Sequence, residues 1–186
     1  MKLRRFDLDL DVALALGQGL HLRQATFGDV APVLALIKGA IAQGCRRHYD
    51  EAQQQAVYET YARTLFVDVL SPMETIVLET HDIRQGDRRL VGLGQLDPAR
   101  ARLRALFVSP NWQGRGLGRL MLSAVESVAT SYGLPELEGA MSLNALGFYR
   151  HAGFAPVRPV QASQTLGIPV PVQLMRKTLR HSSSSK

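Results

Sequence analysis

The chain has 186 residues, of which 46% are hydrophobic and 20% charged, and its formal net charge is +6. That balance excludes a disordered chain and suits one globular domain with a sizeable core. A single cysteine, Cys45, excludes an internal disulfide and a cysteine-based zinc site, so a cytoplasmic setting and no metal are expected.

The N-terminus carries Lys2, Arg4 and Arg5, but Asp7, Asp9 and Asp11 break up the residues after them, which argues against a signal peptide. No run of about 20 apolar residues offers a membrane span, so no membrane partner is expected. The arginines are scattered, from Arg46-Arg47 through Arg100, Arg102 and Arg104 to Arg115 and Arg119, and form no long tract with interleaved aromatics. They read as a solvated basic surface, and no nucleic acid is expected as a partner.

Residues 1–19 read as an N-terminal extension in which the alternation of DLDLDVAL makes at best an edge strand. Residues 20–178 read as the domain, and the serine-rich residues 179–186 as a loose tail. Within the domain, residues 20–25 form a first strand. Asp29 is a candidate N-cap for a helix whose apolar face is Val30, Val33, Leu34, Ile37 and Ile41, ending near Gly44. Asp50 is a candidate cap for a second helix, with Ala56, Val57, Tyr61 and Ala62 at helical spacing. Residues 74–80, 90–96 and 102–108 read as strands. The turn at 82–88 around Gly86 and the short second connection make them an antiparallel meander. A helix over 117–132 has the stripe Leu117, Leu120, Met121, Ala124, Val125 and Val128 and stops at Gly133 and Pro135. A strand at 137–141, a short helix at 143–152 ended by Gly153, and strands at 154–157 and 170–175 close the chain. A meander with a strand–helix–strand unit after it indicates an α/β or α+β domain around one mixed, mainly antiparallel sheet flanked by helices.

The chemistry sits at the start of the long helix. A strand ends at Ser109-Pro110, and Gln113-Gly114-Arg115-Gly116-Leu117-Gly118 leads straight into the helix. Glycines let the backbone approach an anion closely, and successive amides with the helix N-terminus favour a pyrophosphate. Arg115 or Arg119 would add a charged hydrogen bond. A P-loop is excluded because Gly118-Arg119-Leu120 lacks Gly-Lys-Ser/Thr, and alternate glycines late in the chain do not match a dinucleotide fingerprint.

The strand, Pro110, Gln113-x-x-Gly116-x-Gly118, the long helix, a strand, Asn144, Phe148-Tyr149 and Gly153-Phe154 together resemble the GNAT superfamily of N-acetyltransferases. The resemblance is sharpest over residues 103–157 and looser back to Leu20. It implies a GNAT-like fold and acetyl-CoA as co-substrate. Gln113, Gly114, Arg115, Gly116, Leu117 and Gly118 would cradle the coenzyme pyrophosphate, and the backbone of Leu106, Phe107 and Val108 would hold the thioester and pantetheine arm. Asn144 would touch that arm, or cap the helix beside it. Tyr149 would protonate the leaving sulfur, since a phenol and a thiol have neighbouring pKa values; the alternative is a half-buried core tyrosine.

No acid stands on the strand before the loop, which carries Arg102 and Arg104 instead. Glu79, Glu138, His48, Asp50 or an ordered water are left as bases. Tyr49 and His48 in the segment Cys45 to Asp50 are candidates for the acceptor pocket or simply a surface loop, and Trp112 is a packing or rim residue. The expected reaction is direct attack of a primary amine, of a small molecule or a peptide, on acetyl-CoA without an acyl-enzyme. A non-catalytic acyl-CoA-binding or regulatory module on the same fold is the alternative. Homodimerisation is left open.

Overall fold

The computed structural model describes residues 19–70, 73–81 and 88–179. The expectations for residues 1–18, for the turn at 82–87 and for residues 180–186 lie outside the described residues. The described elements are β1 (Leu20–Gln24), α1 (Val30–Gly44), α2 (Glu51–Leu70), β2 (Glu74–His81), β3 (Arg88–Asp97) and β4 (Arg102–Val108). They continue with α3 (Leu117–Ser131), β5 (Glu136–Ser142), α4 (Leu146–His151), β6 (Ala155–Pro156), β7 (Gln161–Thr165) and β8 (Ile168–Thr178).

The strands form one sheet in the order β1-β2-β3-β4-β5-β8-β6, with β7 paired to β8. Every pairing is antiparallel except β4 with β5. The fold is therefore the mixed, mainly antiparallel sheet that the order of elements implied.

Alternating strand side chains feed two cores, one on each face of the sheet. On one face the α3 stripe Leu117, Leu120, Met121, Ala124, Val125 and Val128 is wholly buried against Ile76, Leu78, Leu137 and Met175, with Tyr149 and Phe154 beside it. On the other, Val33, Ile37 and Ile41 of α1 and Leu65 of α2 cover Val77, Leu93 and Ala105. Gly94 of β3 is required by the first of these contacts, because a Cβ there would lie 2.7 Å from a methyl of Val125.

Three local features differ from the sequence expectation. Asp29 precedes α1 but its side chain does not cap that helix. Its carboxylate instead accepts from the Thr26 N–H (2.7 Å) and hydroxyl (2.8 Å) and from both terminal nitrogens of Arg23 (2.7 and 2.8 Å), so it fastens the 3₁₀ turn after β1. β7 and the outer half of β8 form a hairpin that the polar run Gln161-Ala-Ser-Gln-Thr165 did not announce. Leu166 and Gly167 at its tip both have positive φ (50° and 82°), the geometry of a two-residue hairpin turn. Leu179, assigned to the tail by composition, is buried and its N–H bonds Pro135 O at 2.8 Å.

The Arg23 guanidinium, with the Thr26 donors, holds the Asp29 carboxyl at a pKa of about 2, below its ordinary 3.8. A depressed folded-state pKa adds stability above the unfolded value that is lost as pH falls through the folded one. The melting temperature of the wild type should therefore fall between about pH 4 and pH 2 in part through this group. Asp29→Asn should melt lower at neutral pH and show a shallower loss over that window; parallel melts of the two proteins across pH check this.

Candidate active site

The site begins where β4 and β5 meet. These parallel strands are joined by a single bridge pair, Arg102↔Glu138, with the Glu138 N–H donating to Ala101 O at 3.0 Å. They come so close there that a Cβ at Gly139 would stand 3.0 Å from Leu103 O. No further β4–β5 pairing occurs, so the sheet is open between the two strands towards Val108 and Ser142.

β4 also carries a bulge. The β3–β4 register runs Gln95↔Ala105 and then Leu96↔Leu103, so Arg104 is the extra residue. Past the bulge the parity shifts: Ala105 and Phe107 pack on the α1/α2 face, and Leu106 and Val108 on the α3 face.

The Ser109 N–H donates to Val91 O at 2.8 Å. In an antiparallel ladder, alternate residues direct their backbone groups to the same neighbour. Phe107, two residues before Ser109, therefore directs its backbone groups to β3, whereas Leu106 and Val108 direct theirs into the opening. Of the three residues expected to hold a thioester by backbone, Phe107 is thus turned away. The Val108 carbonyl is already occupied by the Gln113 side-chain amide at 3.2 Å, which leaves its N–H.

At the mouth of the opening, Pro110–Trp112 makes a 3₁₀ turn and the chain enters α3 through two left-handed glycines, Gly114 (φ 76°) and Gly116 (φ 82°). A Cβ at either would meet no protein atom within 4 Å, so these glycines serve backbone shape and an open face rather than internal packing. Among the described residues, the amides from Gly114 to Gly118 have no protein acceptor, since the first bonds of the helix are Arg119 N–H and Leu120 N–H to Gly116 O. Five consecutive donors at a helix N-terminus have the make-up to hold an anion, and together they form an amide cradle.

The other loop residues divide their duties. The Leu117 side chain is buried in the core, so it offers only its amide. Gly118 allows α4 to approach, because a Cβ there would press on the Phe148 ring at 3.3 Å. The Arg115 guanidinium lies 4.9 Å from the centroid of the Trp112 ring and stacks on it, giving Trp112 a packing role. Beyond the cradle, Arg119, Ser123, Phe148, His151 and Lys177 line a groove of about 400 Å³ along α3 and α4.

Tyr149 on α4 is buried, with its ring edge-on to Phe148 (centroids 5.0 Å apart) and Phe154 (5.4 Å). Among the described residues its hydroxyl has no hydrogen-bond partner. Burial, and secondarily the Tyr61 phenol, raise its pKa well above the ordinary phenol value, so it stays protonated. Tyr61 belongs to the opposite face of the sheet.

Asn144 does not cap the short helix, which has Ala145 at its N-cap without a side-chain bond; the Asn144 side-chain Oδ1 accepts from the Cys45 thiol at 3.6 Å. Tyr49 is buried and its hydroxyl fully committed, donating to Pro171 O (2.8 Å) and accepting from Leu143 N–H (2.7 Å). Tyr49 is thus a tie between the α1–α2 turn, the end of β5 and β8.

The candidate bases are mostly engaged elsewhere. Glu79 is buried against Arg23 (3.0 Å) and Arg88 (3.6 Å). Glu138 is held by Arg102 (3.2 Å) and Arg176 (3.0 Å), with Arg176 foremost in lowering its pKa. Asp50 caps α2 by accepting from Gln53 N–H at 2.8 Å. His48 stands exposed on the α1–α2 turn. Among the described residues no cluster of His, Cys, Asp or Glu has the make-up of a metal site, and no helix is long and apolar enough to cross a membrane.

Comparison with known proteins fits this geometry. The family model described as an acetyltransferase (GNAT) domain matches residues 45–179, well over half of the chain. The GCN5-related N-acetyltransferase of Rhodopseudomonas palustris is similar at 26% identity, covering 87% of this chain and 96% of its own, with a TM-score of 0.74. PaiA N-acetyltransferase from Thermoplasma acidophilum, solved in complex with coenzyme A, is similar at 14% identity (86% and 99% covered, TM-score 0.68). YncA from Salmonella typhimurium, solved with its cofactor acetyl-CoA, is similar at 18% identity (90% and 98% covered, TM-score 0.55). No curated protein sequence matches. With a split parallel pair, a glycine amide cradle at its mouth and a family match spanning both, the chain belongs to the GNAT acetyltransferase family and is a transferase.

Proposed function

We propose that the protein moves the acetyl group of acetyl-CoA to a primary amine, of a small molecule or a peptide, by direct attack. The observation that carries this reading is the β4–β5 opening, where the Leu106 backbone groups and the Val108 N–H have no partner strand and run up to the amide cradle of Gly114 to Gly118. An extended arm with amides of its own can pair with the exposed edge of β4, and its pyrophosphate then meets the cradle. The groove beside Arg119, where Glu126 and Lys177 form an ion pair at 2.6 Å, is a place for the nucleotide end.

In this reading the acceptor nitrogen attacks the thioester carbon, and a C–N bond forms as negative charge moves to the oxygen. The Val108 N–H donates to that oxyanion. The C–S bond then breaks, and the Tyr149 hydroxyl donates to the departing sulfur. The raised pKa of Tyr149 weakens it as an acid and strengthens the case for hydrogen-bond donation ahead of full proton transfer. The proton lost by the amine leaves through His48 or water, since Glu79, Glu138 and Asp50 are engaged. Cys45 is half-buried with its thiol facing Asn144, and burial raises its pKa, so it is a poor nucleophile and no acyl-enzyme is invoked.

Coenzyme binding is tested by a matched pair of variants. Gly116 and Gly133 both have positive φ (82° and 72°) and open space where a Cβ would stand, one at each end of α3. Gly116→Val and Gly133→Val should each lower the melting temperature through similar backbone strain. The wild type and Gly133→Val should still be stabilised by acetyl-CoA, and more than by NAD or ATP, whereas Gly116→Val should lose that shift. Thermal melts with and without each ligand read this. Equal acetyl-CoA shifts in the two variants would remove the cradle from the site.

Tyr149→Phe should leave the affinity for acetyl-CoA close to that of the wild type and lower kcat by about 100-fold, the lower range for loss of one proton donor. Because the pKa is raised, the phenol keeps its proton past pH 10.0, its ordinary value. The wild-type rate should therefore show no fall due to Tyr149 below that pH, and the variant should keep the same profile shape at lower height. Steady-state thiol release across pH, with the best acceptor from an amine panel, checks both. An unchanged kcat would reduce Tyr149 to a core residue.

A further inference from the structure

A bulge costs a sheet one set of ladder bonds, and a carbonyl left outside the ladder needs another partner. Here the carbonyl of the bulge residue Arg104 accepts from the Tyr61 hydroxyl, which donates to it at 3.1 Å from α2. The same side chain meets Phe107 edge-on, with ring centroids 5.2 Å apart and planes at 87°. One tyrosine therefore grips β4 at the bulge and again at Phe107, the residue between Leu106 and Val108.

The start of α2 is anchored across the opening. Tyr49, just before the helix, bonds Leu143 N–H at the end of β5 and Pro171 O on β8, and the Gln53 side-chain amide donates to Pro169 O at 2.9 Å. α2 thus spans the gap, tied to the β5–β8 rim at its start and to the β4 rim by Tyr61.

We propose that Tyr61 is a positioning residue for acyl transfer: through Arg104 O and the Phe107 ring it fixes where β4 stands relative to β5, and so where the Val108 N–H meets the thioester oxygen. This rests on the acetyl-transfer reading above. The pyrophosphate cradle belongs to α3 and is not touched by Tyr61. The inference thus separates the two ends of the coenzyme: loss of the hydroxyl disturbs the acyl end and spares the nucleotide end.

Tyr61→Phe keeps the ring against Phe107 and removes the bond to Arg104 O. Calorimetry should give a free coenzyme A affinity within about twofold of wild type, with the wild type's preference for acetyl-CoA over free coenzyme A reduced; both are small changes on the scale of one neutral hydrogen bond. With the best amine acceptor, kcat should fall about 10- to 100-fold, the effect of a small misplacement of reacting groups. Melts of the variant set a working temperature at which it is fully folded. Unchanged kcat, or an equal weakening of acetyl-CoA and free coenzyme A, would overturn the proposal and leave Tyr61 a packing residue. A wild type that turns over acetyl-CoA alongside an unaffected Tyr61→Phe overturns this proposal alone. A wild type that binds no acetyl-CoA overturns the acetyl-transfer reading and this proposal with it.

Discussion

The Glu138 carboxylate sits between two guanidinium groups, from Arg102 on β4 and Arg176 on β8. It marks the place where two halves of the sheet are pinned. On one side β1 to β4 form an antiparallel meander, and on the other β5, β8, β6 and β7 form a second antiparallel group. One parallel bridge pair joins them. A parallel pair needs a crossover connection, and α3 is that connection, so the joint and the long helix are one topological event. The helix N-terminus consequently stands at the end of β4, beside the place where the strands have parted. The amide cradle and the open strand edge are neighbours because the crossover makes them so.

The two cores divide the chemistry between them. The face covered by α3 and α4 is apolar and aromatic around Tyr149, and its low polarity keeps that phenol protonated. The face covered by α1 and α2 carries the polar ties, with the Tyr49 and Tyr61 hydroxyls both bonded to backbone groups that the sheet leaves over. Several charged side chains are neutralised by partners: Glu79 by Arg23 and Arg88, Asp97 by Arg100, and Glu126 by Lys177. The positive surplus therefore resides on exposed arginines such as Arg46, Arg47 and Arg104.

Where the sequence was legible, a strong period or an unusual backbone demand made it so. The α3 stripe has 3.6-residue spacing, and every member of it is buried. The glycine-rich run before α3 marks a special backbone, and Gly114 and Gly116 there take positive φ values that other residues adopt only with strain. The hidden features depend on contacts between distant segments. Arg104 looks like an ordinary polar strand residue, and nothing local says that the ladder skips it. Tyr61 fitted an amphipathic helix, and its partner lies 43 positions away. Asp29 has the residue type and place of a helix cap, yet Arg23 and Thr26 outcompete the helix amides for its carboxylate. β7 has no apolar alternation because it packs at the sheet's rim on α2 and β8 rather than over either core.

The open edge of β4 bears on solvent exchange. Most amides of a central strand are shielded by the strands on both sides, and they exchange only when the sheet opens. Leu106 and Val108 are central by position and marginal by bonding, since their N–H groups face a space instead of a neighbour. In the free protein they should exchange with the speed of a loop while Phe107 between them, bonded to β3, exchanges with the slowness of a core. That alternation within three residues is the signature of a central strand paired along one side only, and a ligand lying along β4 would erase it by completing the ladder.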